Sequence, residues 1–298
     1  MTEQKNVLLI VGNGFDLNIG LKTSYKDFLS SIDVNTISNN LIYELHLRHK
    51  SNWVDIEKEL EDCALNNLSK IKYENFHVLQ NDDRSIKFEK DDYIQLKSHL
   101  KNYLIKQQND NSINRYLSQN SYKLFLELCD RKDIYLTILN FNYTNTIKRL
   151  IYYLSFNCWD NLESRTNHIY VHGNLDDDIV FGISDDAKIN KQHHYLLKSF
   201  DIKNNTKVNI SKLLNNSDEI LFYGYSLGRT DTHYFDDFFK ESCVYDDNIE
   251  EGMKKKITFY HYKEEGYLDL FDRLFTLTNR NMSKLTHLNN VHFIDSSL

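Results

Sequence analysis

Four short polar constellations, each placed where an apolar run ends, hold the residues best suited to chemistry. The first is Gly12-Asn13-Gly14-Phe15-Asp16. Its two glycines let a backbone approach a ligand closely, and a following helix would aim free N–H groups at an anion such as a pyrophosphate. The alternative is a tight strand-to-helix turn that holds no ligand. Asp16 adds a carboxylate that accepts hydrogen bonds from ribose hydroxyls or caps local backbone. Ser24, in Thr23-Ser-Tyr-Lys-Asp27, is a helix cap or a ligand contact. The second constellation is Leu139-Asn-Phe-Asn-Tyr-Thr-Asn-Thr146, where Asn142 offers an acceptor and a donor for orienting a water or a sugar hydroxyl, or forms an Asx-turn. The third is Tyr170-Val-His-Gly-Asn174, in which Gly173 lets the loop turn and leaves His172 free to act as a base near neutral pH.

The fourth, Gly224-Tyr-Ser-Leu-Gly-Arg-Thr-Asp231, matches the GxSxG nucleophile elbow and makes Ser226 a rival candidate for covalent catalysis. A hydrolase of that type places its acid and then its histidine after the serine. His172 precedes Ser226, whereas His233, His261, His287 and His292 follow it, so chain order weakens the triad without removing it.

These constellations need elements to position them. Apolar runs of strand length recur at Val7–Val11, Tyr135–Phe141, His168–Val171, Ile220–Gly224, Ile257–Tyr262 and Val291–Ile294, and they read as strands buried on both faces. Between them lie helical patterns. Trp53, Ile56, Leu60, Ala64, Leu65 and Leu68 share one helix face, with Asp55 and Glu57 off it; Tyr93, Leu96, Leu100, Tyr103 and Leu104 share another. The alternation predicts an α/β fold over 1–298: a mainly parallel, Rossmann-like sheet with helices on both faces. The distance between the first two strands is too long for a simple crossover, which predicts an inserted helical subdomain over 40–130. Polar stretches at Gln80–Lys90 and Asn109–Asn114 read as its loops, and Asp185–Asn205 as a mobile segment.

Bulk properties narrow the function classes. With 298 residues, 41% hydrophobic and 13% aromatic, the chain has ample material for a core. A net charge of −7 supplies no basic field for a phosphate backbone, which disfavours nucleic acid as a partner. Cys63, Cys129, Cys158 and Cys243 lack CxxC spacing, so they read as reduced core thiols. No apolar stretch reaches the roughly 18 residues of a membrane span, and the reading is a cytoplasmic protein with no membrane partner.

Taken together, the motifs resemble the AbiH family of bacterial abortive-infection proteins: GNGFD followed by TSY and DF, the Trp53-Val-Asp-Ile-Glu57 helix, NFNYT, VHG, and GYSLGxxD ending in Asp231. The match spans most of the chain. More distantly, the same order is similar to the sirtuin-like fold, in which such motifs surround NAD. That resemblance implies that Asn142 holds ribose and water and that His172 is the catalytic base. It also implies that Gly12, Asn13, Gly14 and Ser226 touch the nucleotide, with Asp16, Ser24 and Asp231 beside them. Thr144 stands where sirtuin-like proteins often carry an acid, and Lys22 where family members commonly have proline. The zinc-binding cysteines of true sirtuins are missing, which argues against protein deacylation and for simple NAD cleavage. NAD would then be a substrate. No metal is called for, since the leaving group is already a cationic pyridinium. Rival expectations are a nucleotide sensor without turnover and a Ser226-dependent esterase. The expected partners are NAD or a related nucleotide, a phage-derived trigger, and further copies of the chain.

Overall fold

The computed structural model describes residues 4–33, 37–48, 56–65, 88–109, 119–157, 162–201, 209–244 and 255–297. Six strands, β1 (Lys5–Val11), β2 (Ile134–Asn140), β3 (Thr166–Tyr170), β4 (Glu219–Tyr223), β5 (Lys256–His261) and β6 (Asn290–Asp295), fall within two residues of the runs read from the sequence. The helices are α1 (Asn13–Asn18), α2 (Tyr25–Ser30), α3 (Asn40–Arg48), α4 (Ile56–Leu65), α5 (Lys90–Asn109), α6 (Asn120–Asp130), α7 (Thr146–Asn157), α8 (Lys198–Asp201), α9 (Ile210–Asn216), α10 (Asp236–Glu241), α11 (Lys263–Leu277) and α12 (Met282–Leu288).

The strands form one parallel sheet in the order β3-β2-β1-β4-β5-β6. That is the doubly wound order, and it reverses direction between β1 and β4. In β1, Val7, Leu9 and Val11 join a core on one face, while Leu8 and Ile10 join a second core on the other. Unbroken apolar sequence is therefore what this central position requires. The edges differ from the expectation of burial on both faces: β6 alternates exposed and half-buried residues, and β3 is only partly buried. An edge strand has one neighbour, and its outer residues meet solvent. Across β4, β5 and β6, Phe222, Phe259 and Phe293 lie in register and stack at 4.8 and 5.4 Å, binding the second half of the sheet through aromatic contact.

The chain divides into two compact units. One comprises 1–22, 107–178 and 206–298 and contains the whole sheet; the other comprises 23–106 and 179–205. In the second unit, Tyr93 on α5 stacks on Phe181 at 6.0 Å and donates its hydroxyl to the Phe181 carbonyl. Ile56, Leu60 and Ala64 are buried as their spacing predicts, but Leu65 is 47% exposed. Glu57, off the apolar face, is nevertheless buried and pairs with the buried Lys198 at 3.1 Å. Burial of a carboxylate requires such a partner, and Lys198 lies too far along the chain for helical periodicity to reveal it. Trp53, Val54, Asp55 and Leu68 lie outside the described residues. So do 80–87, 110–114 and 202–205 of the expected loops. The rest of the expected mobile segment holds the 3-10 turn Lys191–Leu196 and α8, with Leu196 fully buried.

Within the sheet unit, the turn after β1 and the turn after β4 interlock. Gly12 donates its N–H to the Tyr223 carbonyl at 3.1 Å, and Gly14 donates to the Gly224 carbonyl at 2.9 Å. A Cβ on Gly14 would stand 2.5 Å from Gly224 Cα, and one on Gly12 2.5 Å from the Gly224 oxygen. Gly224 itself has φ +61°, a conformation in which a side chain is strained. Gly228, by contrast, has only the Ser226 hydroxyl near its Cβ position, at 3.9 Å. Gly14→Ala should therefore cost at least about 1–3 kcal/mol, the scale of overpacking, read as a lower urea midpoint. Gly228→Ala should change stability by less than about 0.5 kcal/mol. Equal midpoints for wild type and Gly14→Ala would show that the interlock tolerates a side chain.

Candidate functional site

In a parallel sheet all carboxyl ends lie at one edge, and the crevice where the strand order reverses is where such folds bind ligands. The loops leaving β1, β2, β3 and β4 bring most of the sequence-predicted residues to that edge. Asn142, just beyond β2, is anchored twice. Its backbone N–H donates to Asn140 Oδ1 at 2.9 Å, and its Nδ2 donates to the Gly12 carbonyl at 3.0 Å. The second bond ties the β2 loop to the glycine turn of β1. It also leaves Asn142 Oδ1 as an acceptor with no partner among the described residues.

Asp16 is 1% exposed. Thr144 donates its hydroxyl to Asp16 Oδ2 at 2.6 Å, and Thr146 donates to Thr144 at 3.2 Å. Asp16 Oδ1 is buried and has no protein partner among the described residues. Burial pushes the carboxyl up to about 6, and the hydrogen bonds from Thr144 and Thr146 pull it only part of the way back. Beside it, Asn145 is clamped. Its Nδ2 donates to both Asp176 oxygens at 3.0 Å, and its Oδ1 accepts the Tyr170 hydroxyl at 2.9 Å.

His172 follows β3 and is 5% exposed. Its Nε2 lies 3.1 Å from Asp231 Oδ1, in the 3-10 turn Arg229–Tyr234 that follows β4. A carboxylate accepts only, so Nε2 carries the proton and Nδ1 is the basic nitrogen of the neutral ring. Phe141, the residue before Asn142, packs edge-on against His172 at 5.4 Å and against Tyr225 at 4.4 Å. The loops of β2, β3 and β4 thus share one aromatic contact.

Other expected residues sit differently. Both glycine amides of the first motif are engaged by carbonyls at the end of β4, so neither is left to cradle a phosphate; Asn13 opens α1. Ser24 belongs to the second unit, where its hydroxyl caps α2 by accepting the Asp27 N–H at 3.0 Å. Ser226 is exposed, and among the described residues no histidine is hydrogen-bonded to it. The non-glycine residue of the motif with positive φ is Leu227 rather than the serine, and a 3-10 turn follows instead of the α-helix of a nucleophile elbow. Asp231, read as a nucleotide contact, is the partner of His172. In the sequence Thr144 stands out only as a departure from the sirtuin-like pattern; its hydroxyl is the partner of Asp16. Asn140, Tyr170 and His168 were not singled out, and only their positions beside the motifs pointed to them.

The family model for bacteriophage abortive infection AbiH matches residues 8–247. The chain belongs to the AbiH family. Its membership places it in abortive infection, and the matched span runs from β1 past the His172–Asp231 pair and α10. No curated protein and no solved structure matches this AbiH chain. Among its described residues, no helix is long and apolar enough to cross a membrane, and Cys63, Cys129 and Cys243 are buried free thiols; Cys158 lies outside them.

The Asp16 carboxyl yields a stability prediction. Its folded pKa is raised above the ordinary carboxylate value of 3.8 to about 6, so the folded state holds the proton more tightly than the unfolded state. The associated stability is fully present below pH 3.8 and is lost as pH rises through about 6. Asp16→Asn cannot ionise. Its stability relative to wild type should increase between pH 4 and 8 by about 1–3 kcal/mol, the scale of one unpaired buried acceptor, measured by urea unfolding at both pH values. A constant difference across that range would place an ionised, satisfied carboxylate at this position.

Proposed function

We propose that this AbiH protein hydrolyses NAD to nicotinamide and ADP-ribose and so depletes the cofactor during infection. The observation that carries the reading is the His172–Asp231 hydrogen bond, set at strand ends with the doubly anchored Asn142 one residue from the aromatic contact to His172. Two unpaired acceptors, Asp16 Oδ1 and Asn142 Oδ1, suit a ligand rich in hydroxyl donors such as ribose. The motif order resembling sirtuin-like proteins points the same way. Because the glycine amides are engaged, groups other than these two N–H donors hold the pyrophosphate in this reading.

In that reaction the bond between the anomeric carbon and the pyridinium nitrogen breaks, and its electron pair leaves with nicotinamide, which departs neutral. The ribose becomes oxocarbenium-like. A water oriented by Asn142 Oδ1 adds to the anomeric carbon and gives its proton to His172 Nδ1. Asp231 fixes the ring tautomer and stabilises the imidazolium as it forms. Proton transfer of this kind is worth about 10²–10⁴-fold in rate.

Purified protein incubated with NAD should release nicotinamide, measured by chromatography. Asn142→Ala and His172→Ala should lower the rate by about 10²–10⁴-fold while retaining native circular dichroism, and Asp231→Asn should lower it because an amide no longer selects the tautomer. Undiminished release from His172→Ala overturns its role as base. NAD binding by calorimetry without release makes the site a nucleotide sensor. In cells, expression should arrest growth as NAD falls; arrest at constant NAD identifies another target molecule.

A further inference from the structure

We propose that Asn140 and His168 are positioning residues for Asn142, acting through a relay of hydrogen bonds that admits one histidine tautomer. The inference rests on the reading of Asn142 as the group that orients water or ribose. One atom of the relay has fixed chemistry. The Asn142 backbone N–H can only donate, so the Asn140 side-chain atom 2.9 Å from it is Oδ1. The other end of that amide is then an NH₂ group, and it faces His168 Nε2 at 3.3 Å. A donor facing the ring requires an unprotonated Nε2. His168 is accordingly neutral, with its proton on Nδ1, the opposite tautomer to His172.

The surroundings hold this state. Asn140 is 1% exposed at the end of β2, and the His168 ring packs against Tyr170 at 4.5 Å. Ile138 pairs with His168 and Asn140 with Tyr170 across β2 and β3, so the relay is built on two strands whose register fixes its span. Burial, with Lys148 adding to it, pushes His168 down to about 4, consistent with a neutral ring whose Nε2 accepts at neutral pH. At the far end, Asn142 Nδ2 grips the Gly12 carbonyl. Rotation of the Asn140 amide would set NH₂ against N–H at Asn142, so His168 on β3 keeps the Asn140 amide in the orientation that holds the Asn142 backbone.

Two measurements test the relay. Long-range proton–nitrogen NMR of the wild type at pH 7 should show His168 with Nδ1 protonated and Nε2 bare; a protonated Nε2 overturns the proposal without any variant. In steady-state NAD cleavage, His168→Phe should lower kcat by about 10–100-fold, the cost of a misplaced group, with KM within about twofold. His168→Gln, whose carbonyl can still accept, should recover most of the loss. A loss that tracks the thermal midpoint across both variants, or wild-type kcat in His168→Phe, overturns it. If the wild type releases no nicotinamide, the cleavage reading fails on its own. The relay is then read from the Asn142 side-chain amide resonance, which should move in His168→Phe and return in His168→Gln; an unmoved resonance overturns the proposal.

Discussion

Gly14 and Gly224 approach so closely that neither has room for a β-carbon, and the arrangement of the candidate site follows from that contact. β1 and β4 are paired neighbours, and the turns that leave them pack against each other at the carboxyl edge of the sheet. Packing at this distance excludes side chains and engages two backbone amides. In return it presents the Gly12 carbonyl, which the Asn142 amide grips. The glycine turn thus helps set the position of Asn142.

Around that contact, polar groups are buried in connected sets. Asn142 leads through Asn140 to His168, Asp16 through Thr144 to Thr146, and Asn145 to Asp176 and Tyr170. Low local dielectric makes each satisfied bond stronger and each unsatisfied atom costlier. Asp16 Oδ1 departs from this, an acceptor buried with no protein partner among the described residues. A fold that retains such an atom at a strand-exit crevice gives up stability there, the usual exchange at a binding site.

Much of this was legible in the sequence. All six strands were marked by apolar runs, because a parallel sheet needs continuous burial at its centre, and the polar motifs were found at strand ends, where ligand crevices lie. What periodicity could not convey was pairing between distant segments. Glu57 fell off the apolar face of its helix, and its partner Lys198 lies in another stretch of chain. That Asp231 stands against His172 was likewise invisible, since the two lie far apart in the chain. Glycine spacing suggested a phosphate cradle, yet the same residue type serves close crossing of backbones, and only the register of β1 against β4 separates these uses.

The second unit is assembled from two separate stretches, 23–106 and 179–205, with β2 and β3 lying between them in the chain. During synthesis its helices emerge early, but the segment bearing Lys198 and Asp201 arrives only after β3. Until then Glu57 and Lys97 lack the partners that the finished unit gives them. Closure spans a long loop and carries a corresponding entropic cost. The order of translation therefore makes completion of this unit a late event, conditional on the first half of the sheet already having been made.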